Sequence, residues 1–496
     1  MQRNTTADVR DAGRTARGYA ALTRRSLLGG AGAASVLGAS RLARAADHPL
    51  KGQSIHMAIL GIAGWTPSKL GVDLAPDFKR FAKATYGYDV DFSYTEAPFS
   101  QLFQKAATSL ATRSAEYNII ISDSQWLGAL AQPKWILPLD KYIAQRPGLN
   151  VEWFSPVVRS AYQAYPDGSP QRWGLPQEGD CMGLYIRKDL LEAPGEAESF
   201  QKRFGSKLPV TWEDFEALTF PDFLKLIAFF NRPDKGFNGF GAQYSREYDF
   251  ISDPVMTLMR SMGGDVWDAR TGQVEGILNT DGNAQALRQY KDLLRFEPGS
   301  AISYGVAELI DAFTQGKIFS ALQWCAVGPA MITDALRDKV IVVPPPCFPT
   351  SSGKPVRNYI IGGQPWVINA FNDAAHREVA LDFMEWWYTP ETSLAFARHG
   401  GNPCDKATLT RADFDSIQPW FRTYKFMLNN SSDFWHDPAY ADLLSVQQEG
   451  FTAYATGQAS DPKHTLDYIA CRQQKVLFDS GTAAKAPSAA CSGIRL

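Results

Sequence analysis

The chain has 496 residues, beyond the size at which one hydrophobic core keeps growing, so at least two domains are expected. Its 50 basic and 52 acidic residues nearly cancel and form no long run of either sign, which argues against nucleic acid or an anionic membrane surface as partner.

Near the N-terminus, Thr23-Arg24-Arg25-Ser26-Leu27-Leu28 is a twin-arginine pattern. A soft Gly/Ala-rich apolar run follows to about Ala43, and Ala43-Arg44-Ala45 supplies a small-residue cleavage site. Residues 1–45 therefore read as an export signal of the twin-arginine route, short of the roughly 20 strongly apolar residues a membrane span needs. No Cys lies near the cleavage site, so no lipid anchor on a mature N-terminal Cys is expected. From Ala46 the chain is expected to be soluble and exported, in the periplasm of a cell with an outer membrane. Disulfides are allowed there. Of the six Cys (Cys181, Cys325, Cys347, Cys404, Cys471, Cys491), Cys471 with Cys491 is the favoured pair, because that bond would pin a Gly/Ala/Ser-rich tail with little core of its own. Other pairings stay open.

Ser54–Ile62 predicts a first strand, and Trp65 follows it. Ligands of open α/β sheets sit beyond the carboxyl ends of strands, which places Trp65 at a site mouth. Leu74 to Tyr86 has helical periodicity, Tyr88 to Tyr94 alternates as a strand, and Pro98 to Ala111 sets Leu102, Phe103, Ala106 and Leu110 on one helix face. Tyr117 to Ile121 is a buried strand whose end turns polar at Ser122-Asp123-Ser124-Gln125. This alternation predicts a parallel sheet. From Trp173 to Leu191 a breaker-rich turn carrying Glu178 and Asp180 feeds the apolar run Met182–Ile186, an arrangement suited to a hinge. Thr211 and Asp214 form a capping pattern. Gly239 to Tyr244 reads as a strand end, Asp253 to Met262 and Asn283 to Phe296 as helices, and a helix stopping at Gly316 leads into a buried strand ending at Trp324. Pro344–Pro346 and Ser351–Gly353 mark a surface connection. Tyr359 to Asn369 reads as a return crossing, where Gly362 and Gly363 let backbone approach closely, and Ala374 to Thr389 as a helix closed by Pro390.

Several of these segments carry a family resemblance. They are Gly174-Leu175-Pro176 with Leu184-Tyr185 and Lys188-Asp189-Leu190, Leu137-Pro138-Leu139-Asp140, Pro209 to Phe215, Phe313 to Trp324 with Gly316-Lys317, Gly362-Gly363, and the loop Gly400 to Pro403. The chain resembles ABC-transporter extracellular solute-binding proteins of the carbohydrate-binding, maltose-binding-protein-like branch (family 1). The resemblance implies an α/β, type II periplasmic binding protein: two α/β lobes joined by hinge crossings, with a ligand cleft between them. Residues 46–178 plus 364–420 would form the first lobe, 181–360 plus 421–480 the second, and 481–496 a flexible tail. The implied function is to bind a sugar, oligosaccharide or polyol and deliver it to the transmembrane permease subunits of an importer, as a monomer. The 13 Trp and 19 Tyr fit a protein that stacks sugar rings on flat apolar faces, though much of this content must be core.

The resemblance also nominates ligand-binding residues. Ser122, Asp123, Ser124 and Gln125 occupy the loop that reaches ligand in the family, although Asp123 or Ser124 also fits a plain helix cap. Glu178 and Asp180 supply acceptors, and Trp65, Tyr244 and Trp324 flat faces. Trp324 has a competing reading, burial against Pro329 and Met331. Gly363, Gln364 and Trp366 sit at the return crossing, and Arg398 beside the Gly400–Pro403 loop. Cys181 within the hinge motif, Cys325 after Trp324 and the chain's length depart from the pattern.

No phosphate-binding loop, nucleophile elbow, zinc-protease or EF-hand motif occurs, and six scattered His form no ligand cluster. No catalytic residue, metal or cofactor is therefore expected, and no enzyme activity. The cleft acids favour a neutral polyhydroxy ligand over an anion. The alternatives are the same fold with a polyamine or phosphorylated polyol, or an exported glycoside hydrolase.

Overall fold

In a computed structural model, residues 48–348 and 354–496 are described. The export signal and Ser351–Gly353 lie outside the described residues. Two five-stranded sheets organise the rest. The first contains β1 (Ser54–Ile62), β2 (Asp89–Ala97), β3 (Ile119–Ile121), β4 (Leu175–Pro176) and β9 (Pro365–Ile368), in the order β2-β1-β3-β9-β4. The second contains β5 (Asp180–Arg187), β6 (Ser320–Trp324), β7 (Val340–Val343), β8 (Tyr359–Gly362) and β10 (Ser431–Ser432). Each sheet, with the helices packed on it, makes one lobe.

The parallel expectation holds for β1, β2 and β3, which are linked by the helices Ala75–Thr85 and Phe99–Ala111. It fails elsewhere. β9 runs antiparallel to both β3 and β4, and β5 runs antiparallel to β6, β7 and β8.

The chain passes between the lobes three times, and the first two crossings lie side by side. The first runs from β4 to β5 through Gln177-Glu178-Gly179, the second from β8 to β9 through Gly363-Gln364. They are bonded to each other: the amides of Gln177 and Glu178 donate to the Gln364 carbonyl at 2.8 and 3.1 Å, and the Gln364 amide donates to the Glu178 carbonyl at 3.2 Å. Gly363 has φ +101°, and a Cβ there would lie 2.9 Å from the Asp180 nitrogen and the Glu178 oxygen. Only glycine fits this position without displacing backbone.

Local rules account for most elements. Thr211 accepts from the Asp214 amide while Asp214 accepts from the Thr211 amide, which closes the expected capping box. The helix Ser252–Ser261 is buried along its whole length and packs on β8. Gly239–Tyr244 is not a regular strand: the Leu322 amide donates to the Gly241 carbonyl, but the Tyr244 amide turns away to the Tyr304 carbonyl. Cys471 and Cys491 form a disulfide. The tail past Gly481 folds back beside helix Pro462–Asp479, where Gln474 donates to the Lys485 carbonyl and the Ser488 amide to Glu275. Among the described residues no helix is long and apolar enough to cross a membrane.

Candidate functional site

A cavity of about 420 Å³ lies against the two crossings, and both lobes contribute to its lining. The crossings form the floor. Gly363 and Gln364 line it directly, and the Trp324 ring lies against Gly362 so closely that a Cβ there would sit 2.7 Å from the ring. Trp324, at the end of β6, thus faces the cavity as a flat wall. Trp65 stands opposite in sequence logic, just past β1. Its indole Nε1 donates to Glu178 Oε1 at 2.6 Å and to Gln364 Oε1 at 3.1 Å, and its ring meets Phe99 edge-on at 5.1 Å.

Asp180, the first residue of β5, is held by the backbone. Its Oδ1 accepts from the Cys181 amide at 2.8 Å and the Ala326 amide at 3.0 Å, while Oδ2 has no partner. Burial pushes the Asp180 carboxyl well above its ordinary pKa despite those amides. Glu178 is also pushed up, by burial and then by the charge of Asp180, against the opposing Trp65 bond. Each of the two buried carboxyls thus favours its neutral form more than a solvated acid would.

The loop after β3 caps its own turn. Asp123 accepts from the Gln125 amide at 3.3 Å and from the Ser124 hydroxyl at 3.4 Å, so the capping role is real, and both residues also line the cavity. Burial, with Asp433 nearby, raises the Asp123 carboxyl to about 7. Gln125 reaches across to the other lobe: its Nε2 donates to Asp249 Oδ2 at 2.7 Å and to the Tyr248 hydroxyl at 3.3 Å. Tyr248 holds a left-handed backbone, φ +49°, and stacks on Phe99 with centroids 5.2 Å apart. Burial and the Asp123 charge raise Asp249 to about 8, and Asp253 also titrates well above its usual range through burial and the Asp249 charge.

Trp65, Asp123, Ser124, Gln125, Asp180, Trp324, Gly363 and Gln364 are thus brought to one cavity. Five expected residues are placed elsewhere. Glu178 sits behind Trp65, one step from the lining. Ser122 is fully buried and donates to the Asp123 carbonyl. Trp366 packs into the first lobe's core against Phe383 and Trp387, on a strand buried at all four positions. Tyr244, expected at the cleft, is buried in the second lobe, stacked on Tyr290 at 4.7 Å and donating to Glu297 at 2.8 Å. Arg398 ends the helix Pro390–Arg398 and lines a different surface depression with Asp334 and Arg337.

Gly362, read from the sequence as a point of close backbone approach, also lines the cavity; the lining residues that sequence reasoning missed are Phe99, Tyr248, Asp249, Phe250, Asp253, Val306, Ile361, Asp433 and Phe434. The signal was present as two acidic-aromatic stretches, Tyr248-Asp249-Phe250 with Asp253 and Asp433-Phe434, each next to chain breakers or turns. The described lining includes no Lys, Arg or His. The site therefore offers hydrogen-bond acceptors and aromatic faces, the chemistry of holding a donor-rich ligand.

A profile of the bacterial extracellular solute-binding protein family matches residues 68–393. No curated protein matches the sequence significantly. Among solved structures, similarity extends to an ABC-transporter solute-binding protein of Agrobacterium radiobacter K84 in complex with ribitol, with TM-score 0.69, 20% identity, and coverage of 86% of this chain and 100% of that one. A maltose-bound MalE3 of T. maritima gives TM-score 0.69 at 18% identity over 86% and 99% of the two chains. An Agrobacterium vitis S4 solute-binding protein with bound D-mannitol gives TM-score 0.65 at 16% identity over 87% and 99%. The shared feature is the two-lobed fold.

Proposed function

Because the chain belongs to the bacterial extracellular solute-binding protein family, we propose that it is the substrate-binding component of an ABC importer, taking a sugar, oligosaccharide or polyol in the cavity between its lobes. It hands that ligand, unchanged, to the transmembrane permease subunits. The observation that carries this reading is the cavity itself, which stands on the two crossings and joins the Trp65 and Trp324 faces to Asp180, Asp123 and Gln125. Aromatic faces stack on the C–H faces of a sugar or polyol, and the acids accept from its hydroxyls. The ribitol, maltose and mannitol complexes of the structurally similar proteins support the same ligand class.

The proposed lobes comprise 46–178 with 364–420, and 181–360 with 421–480; the membership of β4 and β9 in one sheet and β5 and β8 in the other supports these limits. Ligand entry then requires rotation at Gln177–Gly179 and Gly363–Gln364, and closure excludes water from hydrogen bonds that strengthen in lower dielectric. The Arg24-Arg25 pattern supports export to the periplasm by the twin-arginine route, where the protein would act as a soluble monomer. A phosphorylated ligand is disfavoured, since the described lining carries no cation.

The test is thermal-shift screening of the chain from Ala46 against sugars, polyols, polyamines and organic phosphates. A ligand at 100 times its Kd stabilises the native state by about 2.7 kcal/mol. A large shift with a carbohydrate or polyol that is recovered intact is the expected result. Consumption of the compound would overturn the transport reading in favour of a hydrolase.

A further inference from the structure

The acids of the cavity exceed what a neutral polyol needs. Asp123, Asp180, Asp249, Asp253 and Asp433 all line it, and the described lining has no cation. The nearest cations are committed elsewhere: His436 sits between Asp433 and Asp167, and Arg260 donates to the carbonyls of Ser432 and Asp433. Four buried acceptor atoms on three lining residues have no hydrogen-bond donor, namely Asp180 Oδ2, both oxygens of Asp253, and Gln125 Oε1. Asp253 is 0% exposed, Asp180 1% and Gln125 2%. Among the lining residues, every unsatisfied side-chain atom is thus a carboxyl or amide oxygen.

We infer, resting on the proposed function of this same cavity, that its ligand is a polyhydroxy compound bearing a protonated amine, such as an amino sugar or amino polyol. An uncompensated buried carboxylate is costly, and four of these five have no cationic partner. Asp123, Asp249 and Asp253 each raise the next, so the empty cavity holds its acids partly protonated. One ammonium group cancels a charge and supplies three donors to this cluster. The rings of Tyr248, Phe250 and Trp324 add the aromatic faces that attract an organic cation. The acids are not gathered round a single metal ion: among the described residues, the groups whose ligand atoms lie within 4.8 Å of one another are His48/Glu378/Asp382 and Glu275/Cys471/Cys491, away from the cavity. Dispersed acids with stacking faces fit an extended organic ligand.

The test is isothermal titration of the mature chain at neutral pH with matched pairs: glucosamine and glucose, galactosamine and galactose, glucamine and sorbitol. The amine member of at least one pair is expected to bind about tenfold more tightly or better, the difference between a charge-assisted and a neutral hydrogen bond. Asp253→Asn is expected to pull that ratio towards one, with its unliganded thermal midpoint confirming that it folds. Asp249→Asn serves the same purpose if Asp253→Asn does not. Equal or tighter binding of the neutral members, or a ratio unchanged in both variants, would overturn the inference while leaving the sugar or polyol reading in place. Binding of putrescine or spermidine with no polyhydroxy compound bound would overturn both.

Discussion

Asp123 and Asp249 are 126 residues apart in sequence, yet each is buried within the other's field and each ionises near neutrality, at about 7 and about 8. Both folded values lie above the ordinary aspartate range, so their contribution to stability is fully present below the unfolded pKa and is lost as pH rises through the folded one. His436, raised to about 10 by Asp167 and Asp433 against the effect of burial, has the same sign in a higher window, losing its contribution as pH rises through about 10. The unliganded protein is therefore expected to melt at a lower temperature at about pH 8.5 than at about pH 5, and Asp123→Asn to flatten that decline. Calorimetry across this range checks it; a midpoint that climbs with pH would contradict the buried-acid account. The same scale explains the misplaced aromatics. Tyr244 and Tyr248 are four positions apart, but only Tyr248 takes the left-handed turn, φ +49°, that carries its ring to Phe99 and the cavity.

At the scale of elements, the segment after β3 and the loop before helix Ser252–Ser261 act as a clasp. Gln125 bonds Asp249 and Tyr248, and Phe99, at the start of its helix, stacks on Tyr248. Both contacts join the lobes at the cavity lining. Gln125→Ala removes a hydrogen bond to a carboxyl, and is expected to weaken the closed arrangement by roughly 1.5–3 kcal/mol. Small-angle scattering of the unliganded variant should then show a larger radius of gyration than the parent; identical profiles would mean that the clasp does not hold closure. The crossings themselves resist substitution for a different reason, since Gly363 needs φ +101° and leaves no room for a Cβ.

For the whole molecule, the first lobe is tied together by a buried ion cluster rather than by its sheet alone. Arg146 pairs with Glu378 at 2.6 Å, Asp382 at 2.8 Å and Glu385 at 2.8 Å, all on helix Ala374–Trp387, and His48 reaches Asp382 at 3.0 Å. The return segment is thereby fastened to chain from before the first crossing. Removing one member of a buried network strands the others, so Arg146→Ala is expected to cost about 3–5 kcal/mol in denaturant unfolding. A loss under about 1 kcal/mol would place the cluster among weak surface pairs instead.

Strand β1, the helices Ala75–Thr85 and Phe99–Ala111, the Thr211 capping box and the two Gly-marked crossings were legible in the chain because each depends on periodicity or on a few adjacent residues. The family's two-lobed fold followed from motifs at those places. The pairing directions of β5 and β9 were not legible, because they depend on which lobe the chain returns to. Nor was the composition of the cavity. Trp366 and Tyr244 carry the same side-chain chemistry in core or cleft, and Asp253 on a helix reads as a solvated first-turn acid until that helix is packed against β8. The sequence alone determined the elements and the places where the chain changes lobes. Only tertiary packing decided which acids and rings meet, because contact between groups over a hundred residues apart is set by sheet order and loop backbone angles, not by local pattern.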